Sequence, residues 1–159
     1  MLVRFYIFCY NIVMNTYEFM KSTGELTYRS QQNYIDFAKA HGVNYNTLAV
    51  LYTSYINDGC TQMQVTNEWY VPKQTVNTIC KNLIAEGIIS KTKSDRDHRE
   101  SCISLTEKGK KFAGPIVEKL LKIESGAVAM MGEENVLKFF EAYKKFNDIL
   151  DAEFRKASH

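Results

Sequence analysis

The stretch that most constrains this 159-residue chain runs from Pro72 to Leu105. Proline is well placed to open a helix, because its missing N–H has no partner there and its fixed φ is already helical. After it, Val76, Ile79, Cys80 and Leu83 recur at the i, i+3, i+4, i+7 spacing of one buried helical face. Gln74, Thr75, Asn77, Thr78 and Lys81 fall on the opposite face. Gly87 followed by Ile88 predicts a left-handed C-cap with its apolar contact. Two short β-type runs follow, Ile88–Lys93 and Glu100–Leu105, around the charged loop Ser94-Asp95-Arg96-Asp97-His98-Arg99. Ile103 and Leu105 point one way and Cys102 and Ser104 the other, as in a half-buried hairpin strand.

Helices flank this unit. Residues 15–41 read as a helix interrupted near Gly24, with Tyr34, Ile35, Phe37 and Ala38 as its stripe and Gly42 as terminator. Asn44 caps the next helix, which carries Leu48, Leu51, Tyr52 and Tyr55 at helical spacing and breaks at Asp58-Gly59. A short helix at 62–69 and a tight turn around Tyr70 and Val71 lead into Pro72. Downstream, Thr106 caps a helix reaching Met130, with Phe112, Ile116, Leu120 and Ile123 along one face. Gly132, Glu133 and Glu134 start the last helix, the acids suiting its N-terminal dipole. Its stripe is Val136, Phe139, Phe140, Tyr143, Phe146 and Leu150. The fold class expected is therefore mainly α with a small β-hairpin (α+β), and 2 prolines and 8 glycines suit such long helices.

The formal net charge is only +2, so its distribution carries the information. Residues 72–111 hold nine basic and five acidic side chains, a net of +4, while the segments on either side are each at −1. A localised phosphate-facing surface looks like this, and so does a solvated charged face. The helix at 72–87, entered by a tight turn from another short helix, has the apolar inside and small polar outside of a helix that enters a major groove. Gln74 and Asn77 can pair with adenine edges, Thr75 and Thr78 can contact a thymine methyl or a phosphate, and Lys73 and Lys81 can neutralise phosphates. Lys91, Lys93, Arg96 and Arg99 sit in or beside the hairpin loop, where a guanidinium can enter a narrow minor groove.

Other classes find little support. No Gly-rich phosphate loop and no nucleophile–base set can be assembled, and His41, His98 and His159 are scattered, so no enzyme and no cofactor are expected. Cys9, Cys60, Cys80 and Cys102 are 51, 20 and 22 positions apart without C-x-x-C or histidine at ligand spacing, which argues against a metal site and for a reduced, cytoplasmic setting. Buried, inert thiols are the common case, although any of them can in principle sense oxidants. Eleven of the first thirteen residues, Met1–Val13, are apolar or aromatic. Such a run is shorter than the roughly 20 residues of a membrane span, and it lacks a signal-peptide cleavage site. Packing against a partner helix or subunit is the expectation.

Residues Thr61 to Ala113 resemble the DNA-binding core of the MarR family of regulators. The resemblance is carried by Lys73-Gln74-Thr75-Val76, by Leu83-Ile84-Ala85-Glu86-Gly87-Ile88-Ile89, by the charged wing, and by Ile103-Ser104-Leu105-Thr106-Glu107-Lys108-Gly109. It implies a winged helix-turn-helix at 44–109 flanked by dimerisation helices at 1–43 and 110–159. It also implies a homodimer on a pseudo-palindromic duplex operator, acting as a repressor relieved by a small ligand or oxidant. By the same resemblance Gln74, Thr75, Asn77 and Thr78 fall on the recognition helix, Arg96 on the minor-groove arginine and Arg99 on the second wing arginine. Ser94 stands where the family's wing commonly has aspartate, and Tyr70 where its turn commonly has glycine. A ligand site would be lined by Tyr34, Phe37, Tyr45, Tyr52 and Trp69 and would accept a small aromatic compound, although core packing explains the same aromatics. The competing reading is a winged-helix protein-interaction module without specific DNA binding.

Overall fold

A computed structural model describes residues 15–93 and 101–158. The Met1–Val13 run with Cys9, and the loop from Ser94 to Arg99 with both its arginines, lie outside the described residues. In chain order the elements are α1 (Thr16–Ala40), α2 (Tyr45–Ile56), β1 (Cys60–Thr61), α3 (Gln62–Trp69), α4 (Lys73–Ala85), β2 (Ile89–Lys93), β3 (Ser101–Leu105), α5 (Glu107–Met131) and α6 (Glu133–Ala157). The fold is mainly α with a small antiparallel sheet.

Local signals account for most boundaries. Asn15 caps α1, its Oδ1 accepting the Glu18 N–H at 2.9 Å, and Asn44 caps α2 in the same way through Thr47 at 2.8 Å. Gly42 ends α1 at φ 74. The expected break at Gly24 is absent, and α1 runs through it. A glycine costs a helix about 1 kcal/mol but keeps its N–H, so the hydrogen-bond ladder continues. The centre of the first unit is α2, in which Leu48, Ala49, Val50, Leu51, Thr53 and Ser54 are all buried. Val65 of α3, Val76 and Cys80 of α4, and Ile89 and Ile103 of the sheet complete this core. Each large apolar side chain removed from water contributes about 1.5–3 kcal/mol.

The hairpin expected from sequence is part of a three-stranded sheet in the order β1-β3-β2. The register pairs Cys60 with Ile103, and Ile89, Lys91 and Lys93 with Leu105, Ile103 and Ser101. Two residues are too few to show a period, which is why β1 could not be read from sequence. Gly59 delivers the chain to it at φ 123, and a Cβ there would run into Ser104 Oγ and Cys102 Sγ. As the alternation predicts, Ile103 and Leu105 are buried while Cys102 and Ser104 are half-buried.

The root of the hairpin is a small hydrogen-bonded junction. Gly87, at φ 68, ends α4 and sends the Ile88 N–H back to the Leu83 carbonyl at 2.8 Å. The Thr106 hydroxyl donates to the Gly87 carbonyl at 2.7 Å, its oxygen accepts the Gly109 N–H at 3.0 Å, and its own N–H reaches the Ile88 carbonyl at 3.0 Å. Lys108 adds a bond to the Glu86 carbonyl at 2.7 Å.

Contacts divide the chain into two units, Met1–Lys110 and Lys111–His159. In the second, the expected α5 stripe is split: Ile116 and Leu120 are buried with Ala113 and Val117, while Phe112 and Ile123 are exposed. No side chain of α6 is buried. Among the described residues no helix is long and apolar enough to cross a membrane.

Gly109→Ala should lower stability in urea by about 3 kcal/mol, the upper end of overpacking costs, because its Cβ would collide with the Ile88 carbonyl, which is backbone and cannot rotate away. Gly24→Ala meets nothing within 4 Å and should instead stabilise by about 0.5–1 kcal/mol.

Candidate nucleic-acid interface

The helix α4 owes its orientation to burial of one stripe. Val76, Cys80 and Leu83 are buried, and Ile79, expected beside them, is half-buried at the edge of that face. The opposite face is led by Gln74, Thr78 and Lys81, all exposed and spaced i, i+4, i+7, so they form one row along the helix. Thr75 and Asn77 flank that row and are half-buried, while Lys73 is exposed in the first turn. Asn82, exposed at i+4 from Thr78, belongs to the same face and was not singled out from sequence; its spacing was the available signal. The Thr78 hydroxyl donates to the Gln74 carbonyl at 3.0 Å. Its proton is therefore committed to the helix, and the side chain has lone pairs and a methyl left to offer a ligand.

Pro72 is the N-cap of α4, not its first helical residue, and makes no side-chain capping bond. No acidic residue lies in the first turn. Neither an N-cap side chain nor a first-turn acid meets the partial positive charge of this helix start, a condition that favours an anion nearby. Tyr70, the C-cap of α3, takes a left-handed conformation at φ 53 and ψ 32, the conformation a glycine would adopt most easily.

The strand β2 packs beside α4 and carries Lys91, which is exposed. The Lys91 charge opposes the rise that burial imposes on the Cys80 thiol of α4. Lys93 ends β2, and Arg96 and Arg99 lie outside the described residues. Among the predicted DNA-contacting residues, then, seven are described to the side chain: Lys73, Gln74, Thr75, Asn77, Thr78, Lys81 and Lys91.

Of the five aromatics expected around a ligand, three converge on the fifth, Trp69. Tyr34, Tyr45 and Tyr52 meet its ring edge-to-face at centroid distances of 6.1, 5.5 and 5.4 Å. The Trp69 Nε1–H donates to Thr53 Oγ1 at 3.0 Å, and burial raises the Tyr45 phenol above its ordinary pKa. Phe37 does not join them in these ring contacts; it stacks on His41 at 4.1 Å. The cluster ties α1, α2 and α3 together.

The described thiols are free. Burial pushes Cys60 up to about 11 despite the Ser54 hydroxyl 3.3 Å away, and it pushes Cys80 up to about 11 against the opposing Lys91 charge. Among the described residues no group of three or more His, Cys, Asp or Glu is placed to hold a metal.

A sequence profile of the MarR family matches residues 41–100, the segment containing α2, α3, α4, β2 and the loop after it. Over residues 41–100 the chain is similar to the MarR family. A MarR family regulator from Neisseria meningitidis is similar over 90% of this chain and 99% of its own, at 26% identity and a TM-score of 0.75. The transcription regulator MarR from Oenococcus oeni shares the fold over 82% of this chain and 98% of its own, at 15% identity and a TM-score of 0.63. Staphylococcus aureus MarR in complex with salicylate and kanamycin does so over 87% and 93%, at 18% identity and a TM-score of 0.62. No curated protein sequence matches the chain. The order α3, α4, then the β2–β3 hairpin is the order expected from the Lys73-to-Gly109 motifs, and the fold agrees with that expectation.

The raised thiols set a pH dependence. A thiol whose folded pKa lies above its ordinary value of 9.0 favours the protonated folded state. The stability so contributed is intact below pH 9 and is lost as pH rises towards 11. The urea midpoint should therefore decline across that window, less steeply in a Cys60→Ala, Cys80→Ala double variant. Near neutral pH neither thiol should react with a thiol reagent until the chain is unfolded.

Proposed function

We propose that this chain is a homodimeric regulator of transcription that binds a pseudo-palindromic operator in duplex DNA through α4 and the wing, in the cytoplasm. The observation that carries the reading is the exposed row Gln74, Thr78 and Lys81 on a helix whose opposite face is buried, in a unit of MarR-family fold. Gln74 and Asn77 read adenine edges, Thr75 and Thr78 present methyl groups to thymine, and Lys73, Lys81, Lys91 and Lys93 neutralise phosphates. Arg96 and Arg99, on the resemblance of the loop, enter or approach the minor groove. Residues 44–109 act as the DNA-binding domain, and 1–43 and 110–159 as dimerisation helices.

Dimerisation is supported by the apolar face that a single chain leaves in water. Phe139 is 59% exposed and Phe140 62%, both on the apolar stripe expected of α6, and Phe154, which the stripe did not include, is 66% exposed. Apolar rings at this density along one helix mark an interaction surface. The regulator acts as a repressor whose grip a small aromatic ligand or an oxidant changes. The aromatic cluster around Trp69 supports the ligand, since it joins α1 and α2 to the helix that precedes α4.

The deciding experiment is binding of the purified protein to its own upstream DNA and to a random duplex across a salt titration. Specific binding should be about a thousandfold tighter. Equal, weak binding to both would favour the protein-interaction module instead. Lys81→Ala should weaken both complexes and reduce the slope of log affinity against log salt by about 1, whereas Gln74→Ala should cost about 1–3 kcal/mol on the operator alone. Separately, Phe139→Glu with Phe154→Glu should shift the protein from dimer to monomer in sedimentation, because it places unpaired charge in the interface. A double variant that sediments as wild type would put the interface elsewhere.

A further inference from the structure

The residue that the fold treats least economically is Tyr70. Its backbone is left-handed at φ 53 and ψ 32, a region that disfavours any side chain with a Cβ. Its side chain is 92% exposed, and among the described residues its ring and hydroxyl have no partner. The turn does not leave the backbone free to relax. On one side Trp69 is fixed by its bond to Thr53 and by three tyrosine rings, and on the other Val71 is buried at 3% exposure. Glycine would satisfy this turn at lower cost, and tyrosine returns nothing to the folded chain in exchange. A costly conformation held firmly by its neighbours is the kind of outlier that points to function outside the fold.

Its position says where that function lies. Tyr70 stands between α3 and α4, three residues before Lys73 opens the helix with the exposed Gln74, Thr78 and Lys81 row. When the second helix of such a pair lies in a major groove, the first crosses the sugar-phosphate backbone, so the turn between them meets the strand that borders the groove. A phenol there can donate its proton to a phosphate oxygen, as tyrosines do in duplex recognition. From this we propose that Tyr70 is a sequence-independent backbone contact, its hydroxyl donating to a phosphate oxygen beside the groove that α4 occupies. The inference rests on the DNA-binding reading above and adds a contact to it.

The test measures full-length wild type, Tyr70→Phe and Tyr70→Gly on the chain's own upstream duplex and on a random duplex across salt, with thermal midpoints in parallel. Tyr70→Phe keeps the backbone and ring and removes the donor. It should lose about three- to fivefold in affinity on both duplexes, the usual worth of one hydrogen bond. Because no charge is removed, the salt slope should stay at the wild-type value, unlike that of a lysine variant. Tyr70→Gly should lose about tenfold on both duplexes while its thermal midpoint rises by about 2–4 °C, since the backbone penalty is relieved. A Tyr70→Phe variant that binds as wild type overturns the contact. So does a loss confined to one duplex, or a change in oligomeric state that leaves DNA affinity intact. Wild type that binds neither duplex overturns the regulator reading itself, which separates that failure from the failure of the tyrosine contact.

Discussion

The contact on which the described structure leans most is the junction where Gly87 and Ile88 meet the first turn of α5. The Ile88 carbonyl approaches so closely that only glycine fits at position 109, and the Thr106 hydroxyl bridges the Gly87 carbonyl and the Gly109 amide. Four ends are settled there at once: the close of α4, the start of β2, the end of β3 and the start of α5. Buried backbone groups must find partners, and here they find them in each other. The direction in which β2 leaves α4 is therefore set by backbone packing at this junction.

A second constraint acts at the other end of α4. Trp69 is held by Thr53 and by edge-to-face contact with Tyr34, Tyr45 and Tyr52, and Val71 is buried immediately after it. The helix α4 is thus fixed at both ends by groups that do not belong to its exposed face. This division leaves Gln74, Thr78, Lys81 and Asn82 free of structural duty in their side chains, apart from the Thr78 hydroxyl. Residues so released can be changed without unfolding the unit. The aromatic cluster is joined to α4 by a short path, from α1 and α2 through Trp69 to the turn.

The thiols illustrate how burial overrides residue type. Cysteine is the most reactive side chain in this sequence, yet Cys60 and Cys80 are protonated well past neutrality because the core disfavours a thiolate. Neither needs a further role to explain its presence; each fills space in the core as a small apolar group.

Much of the architecture was legible in the sequence, because it is written in local chemistry. Asn44 before a helix, Pro72 at a helix start, Gly87 before Ile88, and the alternation of Ile103 and Leu105 each act within a few residues. The apolar stripe of α4 likewise decided which of its residues would be outside. What the sequence could not decide depended on distant partners. The strand Cys60–Thr61 exists only because β3 offers an edge. Phe37 resembles the other aromatics in sequence but stacks on His41 instead of joining Trp69. Sequence alone determined the order of elements and the polarity of their faces, since caps and periodicity are short-range. Only the tertiary structure decided that Gly109 must be glycine, that Tyr70 sits left-handed in water, and which aromatics meet, because each depends on backbone and rings brought together from separate parts of the chain.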